Sequence, residues 1–571
     1  MAMPPGYPGE ERGSDTWRLM LAVALIAGLW MLWPLLFPSP PPPDTPPVAA
    51  SQPTSEDGGI LAQATPLSAA GAPISGSAMH APSSAPVRPD EAFVEVRSDV
   101  VHARLSTWGA AFVDFQLVEF EDEVKREKGK TPPPVDLVPG KGAGDRSFAL
   151  RSTAGTFALP ADAAYEVVEQ APEKVILRHD TGTGVVVTRS FRFDDSRYSF
   201  EVEDSFENRG STAHSAQLEL SVTGQERSGE REGGSMFTPA VDQMSWACRT
   251  DVTHRTLSAK HEKDETRSGT VSWAGIDRQF FLAAMVPREG QTASCSARRL
   301  GEHGLQVVVS YLPVTISPGQ SLRLVSTGYF GPKQVDRLEK LQSNVVEAID
   351  FGWFGVIARP MLWLLVMFYG WVHNYGLAII LLTFSVKLVL LPVTQKAFES
   401  AERMKKVQPL IKELQAKYKS DRMMLGQKQM ELFKEHKVSP LGGCLPMALQ
   451  MPIWIALYRT LYTSVELYQQ PFIEGWIDNL AFKDPTYVLP ILVTAFMLVQ
   501  QFFTPLPQDN PSMKYMMWGM PIFFGFIMLQ LPAGLGIYIL INSVLTVIQQ
   551  AYIRRKFGTK SPAATPAARA S

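Results

Sequence analysis

YGLAIILLTFSVKLVLLPVT, residues 375 to 394, carries a single charge, Lys387. As a helix rising ~1.5 Å per residue it would span ~30 Å, the thickness of a hydrocarbon core. An ammonium held near the centre of a bilayer is disfavoured by ~2.5 to 3.5 kcal/mol on insertion scales, so it needs water, a partner or a route to the surface. No acid lies in the other apolar stretches, which removes an internal ion pair as the solution. Two readings stay open: a water-filled cavity inside a helical bundle, or snorkelling of the lysine stem over ~10 Å to the nearer end of the span. Thr383 lies one helical turn from Lys387 on the same face and adds a hydroxyl.

Outward from this span, further apolar stretches occupy 445–462, 487–503, 515–531 and 533–553, the last two parted only by Pro532 and therefore expected to form a tight hairpin. Leu19 to Phe37 is another stretch without charge, and its charged leader and Pro-rich exit favour a retained anchor over a cleaved signal. Residues 336–373 read as interfacial helices, because the apolar core between Pro360 and Trp371 is short and rich in aromatics; a full crossing is the alternative. Gln450, Thr494, Gln500, Gln530, Asn542, Ser543 and Gln549 place amides and hydroxyls on four of the spans, enough for a polar interior, although each singly is an ordinary interhelical hydrogen bonder.

Residues 38–90 are rich in Pro, Ala and Ser and cannot bury enough apolar surface to fold, so they form a tether after a short tail, 1–18, and the anchor. From 91 to 335 the pattern changes to period two, as in VVVTRSFRF at 185–193 and YSFEVEDSF at 198–206, with turn residues between the runs. That is the signature of one large antiparallel β-sandwich.

Charge orients the chain. Residues 395–439 hold eleven Lys/Arg and six Asp/Glu, the tail 554–571 is basic, and the loop 463–484 sets Lys483 against Glu466, Glu474, Asp478 and Asp484. Basic loops lie inside, so both termini are expected in the cytosol, the β domain outside, and six spans between. The core 374–553 then includes a cytosolic helical hairpin at 395–439, with apolar residues spaced three and four apart from Met404 onward and again at Met423, Met430 and Phe433. Its bland reading is a self-packed pair with solvated basic faces, and its functional reading is an arm that meets a partner.

The overall balance of 54 Lys+Arg against 56 Asp+Glu excludes a strongly basic nucleic-acid binder. Neither GxxxxGK[ST] nor HExxH occurs, so nucleotide hydrolysis and zinc hydrolysis lose support, and no cofactor, metal or catalytic residue is expected. Arg459, near a span end, reads as an interfacial anchor. Cys248 and Cys295 fall in the exported domain, where oxidation is possible, but their spacing leaves their proximity open, and Cys444 reads as a packing residue.

Seven segments carry a resemblance: WAGIDRQFFLAAMVP at 273–287, YFGPK at 329–333, DFGWFG at 350–355, HNYGLAIILLTFSVK at 373–387, SPLGGCLPMALQMPIWIALY at 439–458, PFIEGWIDNLAFKDP at 471–485 and LPAGLGIYILIN at 531–542. In this order they resemble the bacterial YidC family of membrane protein insertases, in the Gram-negative form with a large periplasmic domain. The resemblance implies an insertase and chaperone of the inner membrane that acts without nucleotide, alone or with the Sec translocon, as a monomer. It implies a hydrophilic groove whose charge receives the client's translocated segment, here Lys387, with Thr383, Gln450, Gln500, Gln530, Tyr538 and Asn542 around it. Nascent clients, lipids and the ribosome are the implied partners, the last met by Arg554, Arg555 and Lys556. The sequence departs from the family pattern in two places: lysine stands where arginine is usual, replacing a planar fork by a point charge, and Tyr538 is followed by Ile539 rather than a second tyrosine. A transporter with an intramembrane lysine site, or an envelope scaffold with a carbohydrate-binding domain, would be the alternatives.

Overall fold

Period-two alternation is visible directly in burial. In the strand Ser199–Asn208, Phe200, Val202, Asp204, Phe206 and Asn208 turn inward while their neighbours face out. The computed structural model describes residues 90–557 apart from 123–130, 139–145, 195–197, 226–243, 252–253, 259–263, 302, 342, 419–420, 437–444 and 504–510. The first apolar stretch 19–37, the tether, Cys444 and the end of the tail lie outside the described residues.

Among the described residues, strands between Phe93 and Pro332 pair antiparallel into sheets of nine, six and four strands. The nine- and six-stranded sheets pack face to face as the expected sandwich. The small sheet, Phe93–Arg97, Val101–Ser106, Ala111–Glu121 and Pro134–Asp136, is an addition that alternation could not separate from the others. Its Phe112 and Phe115 enter the common core beside Phe200 and Phe330. A disulfide joins Cys248, in the nine-stranded sheet, to Cys295, in the six-stranded one, and crosses the sandwich.

Helices follow. A short helix, α1 (Val335–Lys340), and a longer one, α2 (Gly355–Val372), lead into α3 (Tyr375–Lys417). Then come α4 (Arg422–Glu435), α5 (Leu445–Thr463), α6 (Val488–Phe503), α7 (Pro511–Met528) and α8 (Ala533–Phe557). By length and composition α2, the first part of α3 and α8 are able to cross a membrane, and α6 and α7 hold shorter apolar segments. The length and composition of α2 suit both readings given for this stretch, interfacial and crossing.

Two expectations change in detail. The apolar span 375–394 and the first arm of the hairpin are one continuous helix, α3, which carries Pro392 and Pro409 inside it. Residues 395–439 therefore add one new helix, α4, rather than two. The turn between α7 and α8 is tight, as Pro532 implied, yet among the described residues the two helices do not form a packed pair: α7 lies on α6, and α6 lies on α8. The central helix is α8, which packs against α3, α5 and α6.

Local chemistry explains the recurrent short motifs. In HNYG, His373 ends α2 in the left-handed conformation, Asn374 caps α3 by accepting from the Leu377 N–H at 3.0 Å, and Gly376 leaves room for the Phe472 ring lying on its backbone. In the KDP segment, Asp484 accepts from the N–H of Thr486 and of Leu489 at 2.9 and 2.7 Å and so caps α6. In PAGL, Ala533 and Gly534 donate their N–H groups to the carbonyls of Phe482 and Leu480 at 2.7 and 2.9 Å. Together these bonds lace the loop 463–484 across the ends of α3, α6 and α8 and close the bundle at the end that meets the β domain. There Tyr468 sits among Phe120, Phe280, Phe281 and Phe482, and its hydroxyl donates to the Glu121 carbonyl at 2.7 Å.

Candidate functional site

The site grows from α3. Tyr375 begins the helix, so Lys387 lies ~18 Å along it, deep in the apolar segment. Its side chain is half-buried and its ammonium donates to the Thr546 hydroxyl of α8 at 2.7 Å; that hydroxyl donates onward to the Asn542 carbonyl at 2.7 Å. Among the described residues no carboxylate pairs with Lys387. An ammonium has three donors, and one is spent on Thr546. The amine is turned inward, between α3 and α8.

Other expected residues fall into place around that axis. Gln450 of α5 donates to the buried Tyr538 hydroxyl of α8 at 2.8 Å. Tyr538 is eight residues before Thr546, so this second polar junction lies ~12 Å away, toward the periplasmic-domain end. On the other side of Lys387, Gln549 donates to Thr394 at 3.0 Å. Three helices therefore share a column of polar contacts centred on α8. Asn542 and Gln500 are both half-buried, Asn542 one turn from Thr546.

Not every expected residue joins. Thr383 is fully buried and returns its hydroxyl to the Ile379 carbonyl of its own helix at 2.7 Å, a satisfied core position. Gln530 is exposed in the α7–α8 turn, ~24 Å from Thr546 by helix rise, and is not brought to Lys387. Thr494 likewise bonds back to Pro490 and packs against Gly525 of α7. Thr546 and Thr394 were missed. The available signal was helical: Thr546 follows Asn542 and Gln549 follows Thr546 at spacings of four and three, one polar stripe down α8.

Outside this column, Arg459 is exposed as an anchor would be. On α4, capped by Asp421 through the N–H groups of Met423 and Met424, the side chains of Met423 and Met430 are exposed, while Phe433 and, on α3, Met404 are half-buried. Arg554, Arg555 and Lys556 form the exposed last turn of α8, where cations favour the helix macrodipole.

A bundle of apolar helices with a polar column and an inward-turned cation, joined to a large β domain, defines an integral membrane protein with a globular extramembrane part. Comparison with known proteins narrows this. Residues 367–560 match the family described as 60Kd inner membrane protein, and residues 93–364 match the YidC periplasmic domain. The membrane protein insertase YidC of Anaeromyxobacter dehalogenans is 33% identical over 574 residues, covering 97% of this chain and 99% of that protein. That of Anaeromyxobacter sp. is 35% identical over 494 residues, 84% of this chain and 87% of that protein. A crystal structure of an active YidC insertase with its first transmembrane domain resolved aligns with 81% of this chain and 95% of its own, at 15% identity and a TM-score of 0.33. The chain belongs to the YidC family of membrane protein insertases, inner-membrane proteins with a periplasmic domain. Membership disfavours the transporter and envelope-scaffold alternatives.

Proposed function

We propose that this chain inserts and helps fold inner-membrane proteins by receiving a short polar client segment at Lys387, between α3 and α8. The observation that carries this reading is the half-buried ammonium, which shares one hydroxyl with α8 and has no carboxylate among the described residues. Crossing ~30 Å of hydrocarbon would strip a polar segment of its water, and a column of amides, hydroxyls and one cation lowers that desolvation over part of the path. Partition of the client's apolar helix into lipid then drives release, so no nucleotide is needed. A point charge attracts client carboxylates without the bidentate geometry of a guanidinium. Lys387 carries the groove's charge, and Gln450, Gln500, Tyr538, Asn542 and Thr546 line it; Thr383 shapes it from the core.

The remaining parts follow from charge. Six spans with cytosolic termini agree with the basic character of 395–439 and of the tail. In this arrangement the arm formed by the end of α3 and by α4, with Met423 and Met430 exposed, captures the client from the cytosol, deformable thioethers accepting varied apolar segments. Arg554, Arg555 and Lys556 give the tail contact with ribosomal RNA, and the Sec translocon and lipids are the further partners.

Reconstitution in liposomes tests the groove. Lys387→Arg is expected to retain insertion of a small phage-coat-like client, and Lys387→Ala to lower it about tenfold, most for clients with acidic translocated segments. Equal activity of all three proteins would refute a role for the charge. Deleting 404 to 433 is expected to weaken insertion while leaving the helical content of the spans intact, and full activity would refute capture by the arm.

A further inference from the structure

A charged concavity lies well away from Lys387. A cavity of about 660 Å³ opens between α1 and α2, beside the first turn of α3 and the loop after α5. Arg337 and Lys340 of α1 and Arg359 of α2 line it with cations; Asp336 and Glu339 of α1 and Glu466 line it with acids. With Glu466 ionised, three charges of each sign leave the wall without net charge. Leu362, Trp363 and Val366 of α2 add apolar lining, and Trp363 and Val366 stay exposed, continuing the apolar face that presents Val356 and Trp371. Glu466 is half-buried, and burial pushes its carboxyl up to about 7; its own backbone N–H opposes the rise, Asp336 adds to it, and Ser464 opposes it by hydrogen bonding.

A wall of both signs beside an apolar, tryptophan-bearing stripe is complementary to a molecule that holds a cation and an anion a few bonds apart on a hydrocarbon tail. A purely anionic ligand would meet three carboxylates, and a purely apolar one would leave all six charges desolvated. We propose that this cavity binds the headgroup of a zwitterionic aminophospholipid of the outer leaflet. Its phosphate lies toward Arg337 and Arg359, its ammonium toward Glu466, and its acyl chains along Trp363 and Val366. Arginine suits the phosphate through paired N–H donors, and tryptophan suits the boundary between headgroup and hydrocarbon. The bound lipid would seat α2 against the leaflet on the side of the β domain.

The test uses the purified full-length protein in detergent, with retention of added dioleoyl phosphatidylethanolamine, phosphatidylglycerol or phosphatidylcholine read by native mass spectrometry. Phosphatidylethanolamine is expected to be retained about fivefold better than either competitor. Glu466→Gln, close to isosteric, and Arg359→Gln, on an exposed position, are each expected to lower its retention about fivefold, and Lys387→Ala to leave it unchanged. That last arm separates this site from the insertion groove. The charged or titratable groups around Glu466 in the cavity are Asp336, Arg337, Glu339 and Lys340 of α1, Arg359 of α2 and Tyr375 of α3. Ammonium binding favours the ionised carboxylate, so retention is expected to rise from about pH 6 to about pH 8 in the wild type and to lose that rise in Glu466→Gln. Preference for phosphatidylglycerol, equal retention of phosphatidylcholine, or equal retention by wild type and both cavity variants would overturn the proposal.

Discussion

The sandwich and the bundle each remove a cation from bulk water, and they treat it in opposite ways. Arg189 is fully buried; its Nε donates to Asp204 at 2.7 Å, and its Nη1 donates to the carbonyls of Ala110 and Phe148, both at 2.9 Å. Lys387 is half-buried and donates to one hydroxyl. Around Arg189 the protein supplies counter-charge and carbonyls together, and the result is a fixed joint between the small sheet, the strand Val185–Phe193 and the strand Ser199–Asn208. Burial still pushes the Asp204 carboxyl above its ordinary value, an effect that the guanidinium opposes without cancelling. Around Lys387 the described residues supply one hydroxyl and no carboxylate, in keeping with the proposed guest. Arg189 keeps one buried Nη2 without a partner, so the contrast lies in counter-charge: a cation paired with a carboxylate of its own chain is a structural joint, and one with no carboxylate among the described residues suits water or a client.

The largest effect should come from breaking the first joint. Arg189→Met leaves Asp204 buried without its partner and is expected to lower the stability of the β domain by about 3 to 5 kcal/mol, read from chemical denaturation followed by tryptophan fluorescence. Adding Asp204→Leu should recover most of that loss; no recovery would show that the carbonyl contacts, rather than the ion pair, hold the joint. Cys248→Ser with Cys295→Ser removes the covalent tie across the sandwich, and about 2 to 4 kcal/mol should go with it, while insertion by the protein that remains folded is unchanged. A thermal melt compared with that of the reduced wild type checks this.

In the bundle the stability effects should be smaller and the functional ones larger. Thr546→Val removes the hydroxyl that holds Lys387 and is expected to destabilise by about 1 kcal/mol while keeping most insertion activity, in contrast to Lys387→Ala. If Thr546→Val instead abolished insertion, the paired amine rather than the free donors would be the working state. Smallest of all, Tyr538→Phe removes the acceptor of the Gln450 amide and should cost about 1 kcal/mol or less, with little change in insertion, measured by the same melt and liposome assays.

Much of the architecture was legible because its signals are periodic. Alternation marked the strands, an apolar run broken only by Lys387 marked α3, and Pro532 marked the turn before α8. The Arg189–Asp204 joint was also written there, since Arg189 shares the inward face of its strand with Val187 and Phe191, and Asp204 that of the next strand with Val202 and Phe206. Alternation by itself points to apolar inward residues, and a charged pair among them carries no separate periodic signal. Thr383 misled for the opposite reason: sharing a face with Lys387 said nothing about whether its hydroxyl would turn to the carbonyl one turn back. Gln530 misled because an apolar stretch was counted as span to its last residue, whereas the helix ends at Met528.

Residue order alone determined that a lysine must lie within an apolar helix, that a β domain precedes the helices, and that basic and acidic loops alternate, because hydropathy, period and charge are local properties. Only the folded chain decided which groups meet. The pairing of Cys248 with Cys295, the reach of Lys387 across to Thr546 and the lacing of the loop 463–484 over three helix ends join residues tens to hundreds of positions apart. Their contacts depend on how sheets and helices pack in three dimensions, and no spacing along the chain encodes that geometry.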